Sequence, residues 1–193
     1  SGNYQGTVNK SYQITPKPLL DSDISIDITE ATYNGNAHIP VNTVKDGEKN
    51  LLEETDYEIS WNKNGFVNAD TYTATITGKG NYSGSFTRTL VINKAEIEIE
   101  LSSPIPSVLP GNQIALMLNT NSGSTPTWTI TGGAHVSGAI IKIDHGLVIG
   151  QDQVTITVTY DEDTNIKSGS KTITLEVGMA DFSGEIADLE EKI

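Results

Sequence analysis

The chain has no cysteine, a single arginine (Arg88) and three histidines among its 193 residues. Without cysteine, disulfides and thiolate metal sites are excluded. Lys and Arg together number 12 against 25 Asp and Glu, a formal net charge of −13. Nucleic-acid binding depends largely on Lys and Arg neutralising phosphates, so this balance argues against it. It argues equally against an anionic membrane surface. Aromatic residues are only 6%, and no apolar run is long enough to span a membrane. No signal-peptide pattern is present. Leu-rich and Ala-rich helical runs are also missing, which removes the main argument for a helical fold.

Thr, Ser, Asn and Gly are abundant and charged residues make up 19%. This composition predicts an all-β protein, and the length suits one large domain or two small ones. The organising stretch is residues 68–84, a strictly alternating strand followed by the Gly78-Lys79-Gly80-Asn81-Tyr82-Ser83-Gly84 corner. The run Gly2-Asn3-Tyr4-Gln5-Gly6-Thr7 matches Gly80-Asn81-Tyr82-Ser83-Gly84-Ser85, and Ile14 falls where Ile92 does, at a constant offset of 78 residues. The chain is therefore expected to open on the tail of one repeat, to carry a complete second one, and to be a fragment whose signal or anchor lies outside it. The Gly-rich corner is not a phosphate cradle, because Thr-rich strands flank it and no helix follows.

The first 18 residues read as a terminal strand of a preceding repeat, with Val8, Tyr12 and Ile14 in one phase. Pro16 and Pro18 mark its end, since neither continues a central ladder. A first β module is expected over 19–94. Ile24, Ile26 and Ile28 alternate with polar residues, and Tyr33-Asn34-Gly35-Asn36 is a turn. Ile39 and Val41 lead a strand to Val44, closed by Asp46-Gly47, a hairpin signal. Tyr57, Ile59 and Trp61 share a face, as do Tyr72, Ala74 and Ile76, and then Leu90 and Ile92. Arg88 has the parity of these last two, as Lys10 does in the earlier copy, so both are expected near a strand end or displaced by a bulge.

A second module is expected over 95–177, with the junction near residues 93–96. Ile97, Ile99 and Leu101 alternate with Glu96, Glu98 and Glu100. Further strands carry Ile114 with Leu116 and Leu118, Trp128 with Ile130, Ile141 with Ile143, Val154 with Ile156 and Val158, and Ile173 with Leu175 and Val177. Strands at roughly ten-residue spacing indicate a sandwich. Residues 178–193 break the pattern: Phe182, Ile186, Leu189 and Ile193 are helically spaced and Ser183 suits a cap, which predicts a short amphipathic tail helix. About three turns are too few to be stable alone in water.

Chemistry-bearing patterns are sparse. His38, His135 and His145 fall in predicted strand edges or loops with no nucleophile elbow or His-Glu-x-x-His pair, and read as solvated loop histidines. Asp161-Glu162-Asp163-Thr164-Asn165 is the densest acidic loop. Asp161 and Asp163 are the candidate Ca²⁺ ligands, but the glycine and distal Glu of an EF-hand loop are missing and a solvated turn accounts for the run. Tyr33, Trp61, Phe66 and Tyr82 are candidates for a sugar-stacking platform. Against this, Trp61 shares a phase with Tyr57 and Ile59, and Trp128 with Ile130, which places both tryptophans in cores. Tyr82 recurs as Tyr4, as a residue packing the corner would. No catalytic residue and no cofactor is expected.

The runs Tyr33-Asn34-Gly35, Val44-Lys45-Asp46-Gly47, Thr55-Asp56-Tyr57 and Gly78-Lys79-Gly80-Asn81-Tyr82-Ser83-Gly84 resemble tandem repeats of bacterial cell-surface and adhesin-type proteins. Asp70 stands where that family usually has glycine in its Asn-Ala-Gly-Thr-Tyr segment. Residues 95–177, with Trp128-Thr129-Ile130-Thr131-Gly132-Gly133 as the telling run, are similar to a bacterial immunoglobulin-like domain. The resemblance implies two tandem Ig-like β-sandwich-type modules in an extended rod, in an exported surface protein. Absence of cysteine is compatible with export of that kind. The implied role is non-enzymatic: a stalk, spacer or adhesive segment touching neighbouring modules of the same chain, and host glycan or protein where it adheres. The alternative is a carbohydrate- or host-protein-binding module, including an accessory part of a secreted glycan-degrading enzyme.

Overall fold

The computed structural model describes residues 2–178 apart from 4, 28, 104, 106, 138 and 139, and for residue 26 the backbone alone. The protein is all-β, and a single 3₁₀ turn is the only helical element among the described residues. It divides into two compact units, Ser1–Asn93 and Lys94–Ile193.

The first unit runs through β1 (Lys17–Pro18), the 3₁₀ turn (Asp21–Asp23), β2 (Ile24–Ile26), β3 (Glu30–Thr32), β4 (Asn42–Asp46), β5 (Lys49–Asn50), β6 (Tyr57–Trp61), β7 (Asp70–Gly78), β8 (Tyr82–Ser83) and β9 (Ser85–Asn93). One sheet has the order β3-β9-β7-β6, with β3 parallel to β9 and the other pairs antiparallel. A smaller antiparallel sheet has the order β2-β4-β5, and β1 lies parallel to β8. β7 and β9 are the two inner strands of the larger sheet, and β7 alternates strictly. Tyr72, Ala74 and Ile76 are buried while Thr71, Thr73 and Thr75 occupy the other face. Ala74 and Ile76 pack with Tyr57 and with Ile24, Val44 and Leu51 from the smaller sheet's side. Each fully buried aliphatic side chain of this kind contributes about 1.5–3 kcal/mol. The Asp46-Gly47 signal is realised as a two-residue loop between Asp46 and Lys49, with Gly47 at φ 59°, the position where such hairpins need glycine.

Three expectations for this unit need correction. The strand expected over the first 18 residues is confined, among the described residues, to Lys17–Pro18. Val8, Tyr12 and Ile14 are 80%, 86% and 82% exposed, because alternation stabilises a strand only when a ladder partner and a packed face exist. Pro18 has no amide to give, and its neighbours Lys17 and Leu19 donate instead to the Asn81 and Ser83 carbonyls, both at 2.9 Å. Ile39 and Val41 are exposed and precede β4 rather than belonging to it. Arg88 is neither terminal nor bulged: it pairs with Ala74 in an unbroken register from Thr77↔Ser85 to Asp70↔Ile92.

The second unit comprises β10 (Ile99–Leu101), β11 (Gln113–Ala115), β12 (Leu118–Thr120), β13 (Thr127–Thr131), β14 (Ala134–Ser137), β15 (Ile140–Ile143), β16 (Gln153–Tyr160) and β17 (Gly169–Glu176). Its antiparallel sheets have the orders β13-β16-β17, β11-β15-β14 and β10-β12. Val154 and Ile156 of β16 and Ile173 and Leu175 of β17 pack with Ile141 and Ile143 of β15, around Val108, Leu116 and Val177. This is a sandwich-like core. The single strand expected through Ile114, Leu116 and Leu118 is two strands. β11 pairs with β15 and β12 with β10, and Leu116 is buried where the chain changes sheets. Gly132 sits at φ 89°, where a Cβ would lie 2.1 Å from the Gln153 carbonyl oxygen, so the β13–β14 corner admits no side chain. The amphipathic helix expected in the tail lies, from residue 179 onward, outside the described residues.

Candidate functional site

Three of the four proposed stacking aromatics converge in the first unit. Trp61 ends β6 opposite Ala74, and Tyr72 lies two residues earlier on β7. The chain between them turns at Asn62, whose amide donates to the Thr73 carbonyl at 3.0 Å while its Oδ1 accepts the Thr73 amide at 2.8 Å. Gly65 and Phe66 then take left-handed conformations, φ 93° and 49°. That fold-back brings the Phe66 ring to 5.0 Å from Trp61 at 78° and to 5.2 Å from Tyr72 at 51°. Tyr72 is buried and donates its hydroxyl to the Asn68 carbonyl at 3.0 Å. Tyr33, Trp61 and Phe66 are half-buried and pack around Tyr72, Leu90 and Ile92.

Trp61 and Phe66 meet edge to face, so the edge of one ring covers the face of the other, while Tyr33, Trp61 and Phe66 each keep part of their surface exposed. A non-glycine residue at positive φ is strained, and here the ring contacts with Trp61 and Tyr72 hold it. His38 adjoins the cluster, its amide donating to the Phe66 carbonyl at 2.9 Å. His38 Nε2 is buried with no hydrogen-bond partner among the described residues, which corrects the reading of this histidine as solvated. Tyr72 is not among the stacking candidates read from the sequence. Its part in the cluster, with the Asn64-Gly65 turn delivering Phe66 beside it, is readable only once the β6–β7 register is known.

Tyr82 lies elsewhere. It is buried at the Gly-rich corner, and its hydroxyl donates to Asp46 Oδ2 at 3.1 Å. Lys17 also pairs with Asp46, and Lys49 sits 5.7 Å over the Tyr82 ring. The Lys17 ammonium holds the Asp46 carboxyl below its ordinary range, and Asp46 in turn raises Lys17. Asp70 pairs with Lys63 and accepts the Thr71 amide at 2.7 Å. Lys63 foremost lowers its carboxyl.

The acidic loop of the second unit is organised from within. Asp163 Oδ1 accepts the amides of Asn165 and Ile166, both at 2.8 Å. Asp163 Oδ2 accepts the Ser122 hydroxyl and the Gly123 amide, both at 3.2 Å. The Asn165 amide, followed by that of Ile166, holds this carboxyl below the usual range. Lys94 donates to Glu162 at 3.0 Å and to the Asp163 carbonyl at 2.7 Å. Asp161 contributes its carbonyl to the Ser124 hydroxyl at 2.9 Å, and its side chain is exposed. Asp161 and Asp163 are therefore near in sequence but differently employed. Among the described residues no group of three or more His, Asp and Glu side chains is gathered as a metal ion requires. His135 Nδ1 lies 3.3 Å from Asp144, both exposed, and the His145 ring lies against Gly111.

Sequence reasoning missed one recurring device. Asp23, Asp56, Asp152 and Asp163 each close a turn with a reciprocal pair of bonds, the backbone amide of the aspartate to a carbonyl and its carboxylate from that same residue's amide. The partners are Leu20, Leu52, Val148 and Ile166. Aspartate suits this because its short side chain reaches backbone amides a few residues away. No family model matches the chain, and no curated protein is similar enough to count as a relative.

Proposed function

We propose that this chain is a non-enzymatic spacer or adhesive segment of a larger bacterial cell-surface protein, built of tandem Ig-like modules. The observation that carries this reading is the use of the aspartates: Asp23, Asp56, Asp152 and Asp163 close turns rather than converge on a site. Loops tied in this way suit a module whose task is to hold distance. The net charge of −13 supports a soluble, self-repelling surface. The family resemblance of the turn motifs supports the bacterial surface setting.

A second reading is favoured by the half-exposed Tyr33, Trp61 and Phe66: a carbohydrate-binding face, as in an accessory module of a glycan-degrading enzyme. The purified chain applied to a glycan array and to immobilised host matrix proteins separates the two. A pure spacer gives no saturable binding. A glycan signal abolished by Trp61→Ala, with the fold retained by circular dichroism, replaces the spacer role with the second reading.

A further inference from the structure

Residues 7–15 have no ladder partner among the described residues, yet they repeat β9 position by position at the offset of 78. Val8 stands for Phe86, Tyr12 for Leu90 and Ile14 for Ile92, while Lys10 stands for Arg88. Leu90 and Ile92 are buried and Phe86 half-buried in the first unit. Arg88 reaches across to the Asp21 and Ile24 carbonyls at 2.7 and 3.3 Å. The N-terminal copy thus carries an apolar residue at each of the three packed positions and a cation at the fourth, and its apolar side chains are all at least 80% exposed.

We propose that residues 7–15 are a β9-type strand that completes a second copy of this repeat, inserting antiparallel to that copy's β7 and parallel to its β3. The proposal rests on the tandem-module reading and names the partner within it: a β-sheet unit with the chemistry of this chain's own first unit. The corresponding slot in this chain is already filled, since β9 pairs continuously with β7 and also with β3. Lys10 fits such a slot because Arg88 shows what lies opposite, two backbone carbonyls and a carboxylate. An open sheet edge offers a ladder on one side only and has no counterpart to that cation site.

The test extends the full chain by a copy of residues 17–79 placed directly ahead of Gly2, which sets that copy 78 residues ahead of the first unit, the offset at which residues 7–15 precede β9. Amide hydrogen exchange by mass spectrometry is then read over residues 7–15 and 85–93 in the original and extended proteins. The expected result is fast exchange over 7–15 in the original and slowing by about 100-fold or more in the extended protein, approaching that of 85–93. In the extended protein V8D/Y12D restores fast exchange over 7–15 and leaves 85–93 protected. Unchanged fast exchange over 7–15 in the extended protein overturns the proposal. So does concentration-dependent protection of 7–15 in the original, which would mean edge pairing between molecules. Neither outcome bears on the glycan-array result, so failure here is distinguishable from failure of the spacer reading.

Discussion

The Arg88 guanidinium donates to the Asp21 carboxylate at 2.8 Å and to the Asp21 carbonyl at 2.7 Å, across 67 positions of sequence. It also donates to the Ile24 carbonyl at 3.3 Å. The charge–charge part of this contact is minor, because the Asp21 side chain is 75% exposed and exposed pairs contribute about 0–1 kcal/mol. The carbonyls matter more, since the Arg88 side chain is only 24% exposed and removing it withdraws a donor from the Asp21, Ile24 and Thr87 carbonyls. Arg88→Ala is expected to destabilise the first unit by about 1–3 kcal/mol, and Asp21→Ala by less than about 1 kcal/mol. Urea unfolding followed by Trp61 fluorescence in a Trp128→Phe background measures both. Equal losses from the two substitutions would mean that the ion pair dominates.

Gly78 ends β7 where the chain crosses its own return. A Cβ at this position would lie 2.7 Å from the Ser83 amide nitrogen and 2.9 Å from the Ser83 Cα and carbonyl carbon. These are backbone atoms, so relief requires the corner itself to move, and with it the 2.9 Å bond from the Gly78 amide to the Gly84 carbonyl. Gly78→Ala is expected to cost about 1–3 kcal/mol as an overpacking substitution. Gly35→Ala, where the space is open but φ is 81°, is expected to cost about 1–2 kcal/mol from backbone strain alone. Thermal unfolding of the two variants orders them. A Gly78→Ala protein as stable as the parent would show that the corner yields freely.

The all-β class and most core strands were legible because period-two alternation records burial directly. Tyr72, Ala74 and Ile76, or Val154, Ile156 and Val158, declare their shared face in the sequence. Arg88 misled because parity alone cannot foretell that the Asp21–Asp23 turn lies where a long cation can reach its carbonyls. Ile39 and Val41 misled because alternation does not tell whether anything packs on the apolar face: the Val41 carbonyl accepts the Asp27 amide and its own amide donates to the Asp27 carboxylate, yet both side chains stay in solvent, as do those of Val8, Tyr12 and Ile14. The β14 strand, Ala134–Ser137, carries a single Val among small and polar residues, and only its pairing with β15 identifies it. At the candidate site, sequence named Tyr33, Trp61 and Phe66 but not Tyr72, which its strand phase had assigned to the core. The reciprocal aspartate clips were invisible, since a turn carboxylate reads the same whether it faces water or its own backbone.

Asp163 gives the second unit a dependence on pH. Its carboxyl is held low by the Asn165 and Ile166 amides, so its folded pKa lies below the unfolded value of about 3.9. The stabilisation is therefore complete above about pH 4 and is lost as pH falls through the folded value. Asp163→Ala is expected to cost about 1–3 kcal/mol, because four donors lose their acceptor. The same change at exposed Asp161 stays within about 0.5 kcal/mol. Urea unfolding at pH 7 and pH 3, read by Trp128 fluorescence in a Trp61→Phe background, should show the Asp163→Ala deficit shrinking at the lower pH. A deficit unchanged between the two would place the loss in packing rather than in the carboxylate.

Phe66 combines strained backbone with two ring contacts, and the two effects predict different variants. Phe66→Ala keeps the φ of 49° and removes the contacts with Trp61 and Tyr72. A half-buried ring with edge-on aromatic pairing is worth about 1–3 kcal/mol. Phe66→Gly also removes the ring but relieves strain of about 1–2 kcal/mol. The glycine variant is thus expected to be as stable as the alanine variant or more so, the reverse of the order at an ordinary strand position, where glycine is the poorer residue. Both should shift Trp61 emission to longer wavelength, because the ring that covers the indole is gone. Denaturation of the pair in the Trp128→Phe background gives the order, and a glycine variant clearly less stable than the alanine one would show that the left-handed turn at Gly65-Phe66 does not persist without the ring.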